Sequence, residues 1–152
     1  GWTTQELAEG MDLTPLQPGY DLVSLQIGVN NQYRGESADT YRTSFRMLLA
    51  RAVALASARA RRVLVVSIPD WGDTPYAHNE GRASFRVARD VDGYNTIARE
   101  EARAAGAHWV DITPVSRRRS PAWIGADGLH PTTAQYAAWA EVILPAARTA
   151  LA

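Results

Sequence analysis

Apolar and polar positions along this chain follow two different periods. Asp21 to Ile27 (DLVSLQI), Arg62 to Ile68 (RVLVVSI) and Ala107 to Ile112 (AHWVDI) are short runs rich in apolar and β-branched residues, which reads as buried strands. Between and around them the apolar residues recur at helical spacing. From about Asp39 to Ala60 they fall at Tyr41, Phe45, Leu48, Leu49, Ala52 and Leu55. A second long helix fits Ala83 to Ala105, stopped by Gly106, and a third fits Thr132 to about Ala150. Thr132 with Gln135 offers that last helix a cap, and Pro131 stands at its start. A short first helix should begin near residue 4, because Thr3 and Glu6 have the spacing of a capping box ahead of Leu7, Ala8 and Met11. GVNNQYRGES (28–37), PDWGDTP (69–75) and the stretch from 113 to about Pro131 read as loops.

The order is helix, strand, helix, strand, helix, strand, helix. Strands alternating with long helices predict an α/β domain: three layers, with a parallel sheet between helices. No repeat or linker divides residues 1–152, so one domain is expected.

Composition changes this picture little. Hydrophobic residues make up 46% of the 152 and charged residues 21%, as in an ordinary folded domain. No apolar run approaches the roughly 20 residues of a membrane span. The absence of cysteine excludes disulfides and thiolate chemistry. With 16 acidic and 16 basic residues there is no whole-chain field to favour nucleic acid. All the basic residues are arginine, which in an alanine-rich chain suggests a GC-rich bacterial source. The clusters Arg59, Arg61, Arg62 and Arg117, Arg118, Arg119 are the one local basic feature, and they read as a solvated helix end and a loop. The chain starts at Gly1 with no initiator Met, so a cytoplasmic and an exported location both stay open.

In sheets of this kind ligands bind beyond the carboxyl ends of the strands. The loops after the three strands therefore bring Asn30, Asp70 and the stretch Asp127-Gly128-Leu129-His130 to one edge. Asp127 can accept a hydrogen bond from one imidazole nitrogen of His130 and leave the other to take a proton. The same spacing also suits a capping aspartate beside a surface histidine. Asn30 can aim its amide at a developing oxyanion, although Asn-Asn after a strand is equally good turn chemistry. Trp71, Tyr76 and Trp123 fall in loops of that edge and suit a sugar or a short acyl chain, or simply cover the core. His78 and His108 share no ligand spacing with His130, so no metal site is expected.

Taken together, these residues resemble the SGNH hydrolases, also called the GDSL esterases and lipases. Gly28-Val29-Asn30-Asn31 resembles the family's glycine-x-asparagine-aspartate block, and Asp127-Gly128-Leu129-His130 its aspartate-x-x-histidine block, followed by the frequent Pro131. Gly1 before Trp2-Thr3-Thr4 is similar to the glycine block, and Ser67 to Pro75 to the loop after the next strand of bacterial members. The chain departs from the family twice. Asn31 stands where aspartate is usual, and no Gly-Asp-Ser occurs; Gly72-Asp73 continues to Thr74.

The resemblance implies a flavodoxin-like fold and a cofactor-free esterase acting through an acyl-enzyme on a small acyl or acetyl ester. His130 would be the base, Asp127 its orienter, and Asn30 with the Gly1 N–H the oxyanion donors. As loop residues of the same edge, Asp70 and Trp71 are candidates to contact substrate, Asp70 suiting a plain turn at least as well. It also places the nucleophilic serine, with its strand, on an N-terminal segment absent from this chain. Without that segment the chain is expected to be inactive. Transfer of the acyl group to a sugar would use the same residues, and a flavodoxin-like binding or regulatory module is the non-enzymatic alternative.

Overall fold

The computed structural model describes residues 1–118 and 120–152, apart from the side chain of Pro121; Arg119, the last of the second arginine cluster, lies outside the described residues. Among them are three strands, β1 (Val23–Leu25), β2 (Val63–Val66) and β3 (His108–Val110). They form one parallel sheet in the order β1-β2-β3, with Val23 beside Val63 and Leu64 beside His108. β2 is buried at every position, as its apolar sequence requires. Its side chains alternate between two cores: Val63 and Val65 join one cluster and Val66 the other.

The larger cluster lies under two long helices, α3 (Ala38–Leu55) and α5 (Ser84–Ala105). Tyr41, Phe45, Leu48, Leu49 and Ala52 of α3 are all buried, which is the stripe expected from the helical period. Helix α7 (Thr133–Leu151) closes the other face, packing Trp139 on Val66, Val110 and Ile112. Helix α1 (Thr4–Asp12) lays Leu7, Ala8 and Met11 against the larger core. Its capping box is fully made: Thr3 Oγ1 accepts from Glu6 N–H at 3.3 Å, and Thr3 N–H donates to Glu6 Oε2 at 2.6 Å.

The elements differ from expectation in several places. The strands are shorter than their apolar runs, because ladder bonds form only where the strands lie side by side. The helix expected to reach Ala60 stops at Leu55, where its apolar stripe ends. Ser57 and Ala58 then turn left-handed, with φ of 56° and 59°, and Ala58 N–H closes onto Val53 O at 2.9 Å. Thr132 is the N-cap residue of α7, but its hydroxyl donates to Ala122 O at 2.8 Å and makes no cap bond. Two stretches read as loop contain short helices, α2 (Val29–Tyr33) and α6 (Thr113–Ser116), and a further one, α4 (Pro75–Asn79), starts at the last residue of a third. Among the described residues no helix is long and apolar enough to cross a membrane.

Candidate active site

Asn30, Asp70 and His130 line a single open cavity of about 1090 Å³ at the carboxyl edge of the sheet, together with Gly1, Trp71 and Tyr76. Parallel connectivity alone accounts for the convergence, since every strand ends at the same edge.

The loop after β1 turns sharply at Gly28, whose φ is 134°. A β-carbon there would lie 2.7 Å from Tyr41 Oη, so both backbone and packing require glycine. The turn starts α2 and puts Asn30 in its first turn. Asn30 Nδ2 donates to Trp2 O at 3.2 Å, which fixes the amide beside the N-terminal residues. A carboxamide carries two N–H groups, and one remains for another acceptor. Arg34 steadies the same residues, donating to Gly1 O at 3.3 Å and to Glu6 Oε1 at 3.0 Å.

Asp127 and His130 sit on a closed loop after β3. Gly125 N–H donates to His130 O at 2.7 Å, and Ile124 pairs with Pro131 as an antiparallel bridge. The carbonyl of Gly128, a residue at φ 74°, accepts from Tyr76 N–H at 3.0 Å and so ties the loop to α4. Asp127 Oδ1 accepts from Leu129 N–H and His130 N–H, both at 2.9 Å. Its Oδ2 lies 2.6 Å from His130 Nδ1. These bonds, the Leu129 N–H foremost, hold the Asp127 carboxyl down to about 2 from its ordinary 3.8. An ionised carboxylate only accepts, so Nδ1 carries the proton and Nε2 of a neutral ring is left with its lone pair. Among the described residues no side chain hydrogen-bonds Nε2. Asp127 does not cap α7, which starts beyond it at Thr133 with Thr132 as N-cap.

Asp70 and Trp71 occupy the loop after β2, but their polar atoms are already engaged. Asp70 Oδ1 accepts from Gly72 N–H at 2.9 Å and Oδ2 from Arg117 Nε at 2.8 Å. Arg117 also reaches Asp92 at 2.8 Å, so this member of the arginine cluster is an internal strut. Trp71 is buried and donates Nε1–H to Gln32 Oε1 at 2.8 Å.

Tyr33 is a cavity residue that sequence reading missed. Its ring meets Trp71 edge-on at 5.5 Å, and its hydroxyl lies 2.9 Å from that of Tyr76, a bond that raises the Tyr76 hydroxyl above its usual pKa. Helical numbering from Gly28 would have put Asn30 and Tyr33 on one face, three residues apart.

The serines of the chain show no nucleophile turn. Ser67 is fully buried and accepts from Ile112 and Thr113 N–H. Ser116 Oγ donates to Thr113 O at 2.7 Å and accepts from Asp70 N–H at 2.9 Å. β1 pairs with β2 alone, so one of its edges is open among the described residues, and Ser24 on it is exposed.

A family model described as the GDSL-like Lipase/Acylhydrolase family matches residues 1–138. No curated protein matches the chain. Among solved structures, the acetylxylan esterase Axe2 of Geobacillus stearothermophilus superposes with a TM-score of 0.70 at 18% identity, over 96% of this chain and 68% of that one. LAE5, an alpha/beta hydrolase from the metagenome of Lake Arreo, Spain, gives a TM-score of 0.71 at 22% identity, over 99% of this chain and 70% of that one. The matching structures also include Axe2 catalytic mutants in which a histidine, a serine or an aspartate is replaced by alanine. At these identities the likeness establishes the fold.

Proposed function

Because the chain belongs to the GDSL-like lipase/acylhydrolase family of carboxylic ester hydrolases, we propose that it carries the base and oxyanion half of a serine esterase for small acyl esters. A segment N-terminal to it supplies the nucleophile. The observation that carries this reading is the Asp127–His130 pair. Its 2.6 Å bond holds a ring that lines the same cavity as Asn30 and Gly1.

The roles follow from the chemistry. His130 Nε2 removes the proton of a serine hydroxyl as the oxygen attacks the ester carbonyl. Asp127 keeps the tautomer and stabilises the imidazolium that forms. The free N–H of Asn30 and the amide of Gly1 receive the oxyanion, where one such donor is worth about 3 kcal/mol in the transition state. His130 then protonates the leaving alcohol, and water repeats the cycle on the acyl-enzyme.

Two features support an external serine. Among the described residues no hydroxyl is hydrogen-bonded to Nε2, and the open edge of β1 is suited to one further parallel strand ending beside Asn30. The aromatic wall of Tyr33, Trp71 and Tyr76 suits a short acyl group. An acetyl ester on a sugar hydroxyl is the first substrate to try, given the acetylxylan esterases among the structural neighbours.

The test is turnover of p-nitrophenyl acetate and an acetylated xylooligosaccharide by the full-length protein, with the intact mass recorded. Activity that disappears in H130A and in a variant of a Gly-Asp-Ser serine upstream supports the reading. An H130A protein that still turns over the ester would falsify it.

A further inference from the structure

Asn31, the residue at which the sequence departs from the aspartate usual in its family, is completely buried in α2, next in sequence to Asn30. Its amide is fully committed. Oδ1 accepts from Thr4 N–H at 3.1 Å, and Nδ2 donates to Thr4 Oγ1 at 2.7 Å and to Glu36 Oε2 at 2.8 Å. We propose that Asn31 is the positioning residue that sets the two oxyanion donors, Asn30 and Gly1, against each other, and that Glu36 is the reason it is an amide. The inference rests on the reading above that those two groups hold the oxyanion.

The placement is direct. Asn31 follows Asn30 in α2, and Thr4 opens the helix three residues after Gly1. Two hydrogen bonds between Asn31 and Thr4 therefore fasten the segment bearing one donor to the turn bearing the other. The neighbouring links, Asn30 to Trp2 and Arg34 to Gly1, are solvent-exposed, so water can replace them. Water has no such access to Asn31, and a lost bond there leaves a buried group unsatisfied.

Donor inventory fixes the direction of the bonds that leave the Asn31 amide. Thr4 Oγ1 accepts from Asn31 and shares a hydrogen bond with Ser44 Oγ at 2.8 Å. Ser44 passes its hydrogen to Thr40 O at 3.0 Å or Tyr41 O at 3.1 Å. The relay begins at the N–H groups of Asn31 and ends on backbone carbonyls of α3. An aspartate at 31 could still accept from Thr4, but it would set a second carboxylate against Glu36 at the 2.8 Å now spanned by a hydrogen bond. Asn31 and Glu36 are thus one unit: change one and the other must change.

The experiment compares wild type, N31D and N31D/E36Q of the full-length protein on p-nitrophenyl acetate, with melting curves and hydrogen exchange of residues 1–6. In N31D, kcat should fall about tenfold to a hundredfold with KM little changed, because misplaced oxyanion donors act on the transition state. Exchange at residues 1–6 should quicken. N31D/E36Q restores a donor–acceptor match with the amide on the other partner, and most of kcat and of the protection should return. A folded N31D with wild-type kcat, or a folded double variant as impaired as the single one, overturns the inference. If N31D does not fold, the double variant decides alone, since near-wild-type kcat is required of it. A wild type inert to acyl esters fails at an earlier point: it removes the esterase reading, and this inference with it.

Discussion

Asp127 grips His130 by both its backbone and its ring: Oδ1 accepts the His130 N–H at 2.9 Å while Oδ2 accepts from Nδ1 at 2.6 Å. One carboxylate thus sets the position, the rotation and the tautomer of the imidazole. Asp127→Asn keeps the shape but offers an N–H where the ring needs an acceptor. In the full-length protein kcat should fall by about 10³ to 10⁴, as a wrong tautomer does in serine hydrolases generally. Steady-state kinetics beside an unchanged circular dichroism spectrum would establish it; a loss below tenfold would remove Asp127 from the mechanism.

The same bonds make a pH prediction. Asp127 is depressed from 3.8 to about 2 in the folded state, so its ionised form favours folding. That contribution is complete above the unfolded value near pH 4 and is lost as pH falls through about 2. A carboxyl ¹³C titration of Asp127 should show a midpoint near 2, and D127N should remove the corresponding acid-side slope of stability. A midpoint at the ordinary aspartate value would contradict the bonding described.

Gly28 should not tolerate a side chain. Alanine there must hold φ at 134° and bring its β-carbon to 2.7 Å from Tyr41 Oη. G28A should lose about 2 kcal/mol or more of stability, read from denaturant midpoints. The added Y41F change should recover only part, because the ring carbons stay at 3.0 Å and the backbone strain is untouched.

Asn95 tests the support behind the loop after β2. Its Oδ1 accepts from Ile68 N–H at 2.8 Å, and Nδ2 donates to Ile68 O at 3.1 Å and Thr113 Oγ1 at 2.9 Å. N95A leaves the buried Ile68 N–H without its partner, while Ile68 O keeps Thr113 Oγ1 at 3.0 Å, and should cost about 2 kcal/mol. Urea unfolding of the full-length protein measures it, and a loss under 1 kcal/mol would mean that water replaces the amide.

The sequence by itself determined the alternation of strands and helices, because each element buries one face and that face imprints a period on the chain. Parallel connectivity then forced Asn30, Asp70 and His130 to one edge without further information. The Asp127–His130 pair and the Thr3–Glu6 capping box were legible for a related reason: their partners lie three residues apart, where local geometry suffices. What lay further apart was not legible. Asn31 finds Thr4 across 27 residues and Asp70 finds Arg117 across 47. No period marks such pairs, since polar partners are chosen by which elements happen to meet. The helix at Val29–Tyr33 was hidden likewise, because Gly28 enters it at a φ of 134°, which glycine permits and no hydrophobic period reveals. Thus the chain spells out where its chemistry gathers, while tertiary structure decides which of those groups are free to act and which are held as supports.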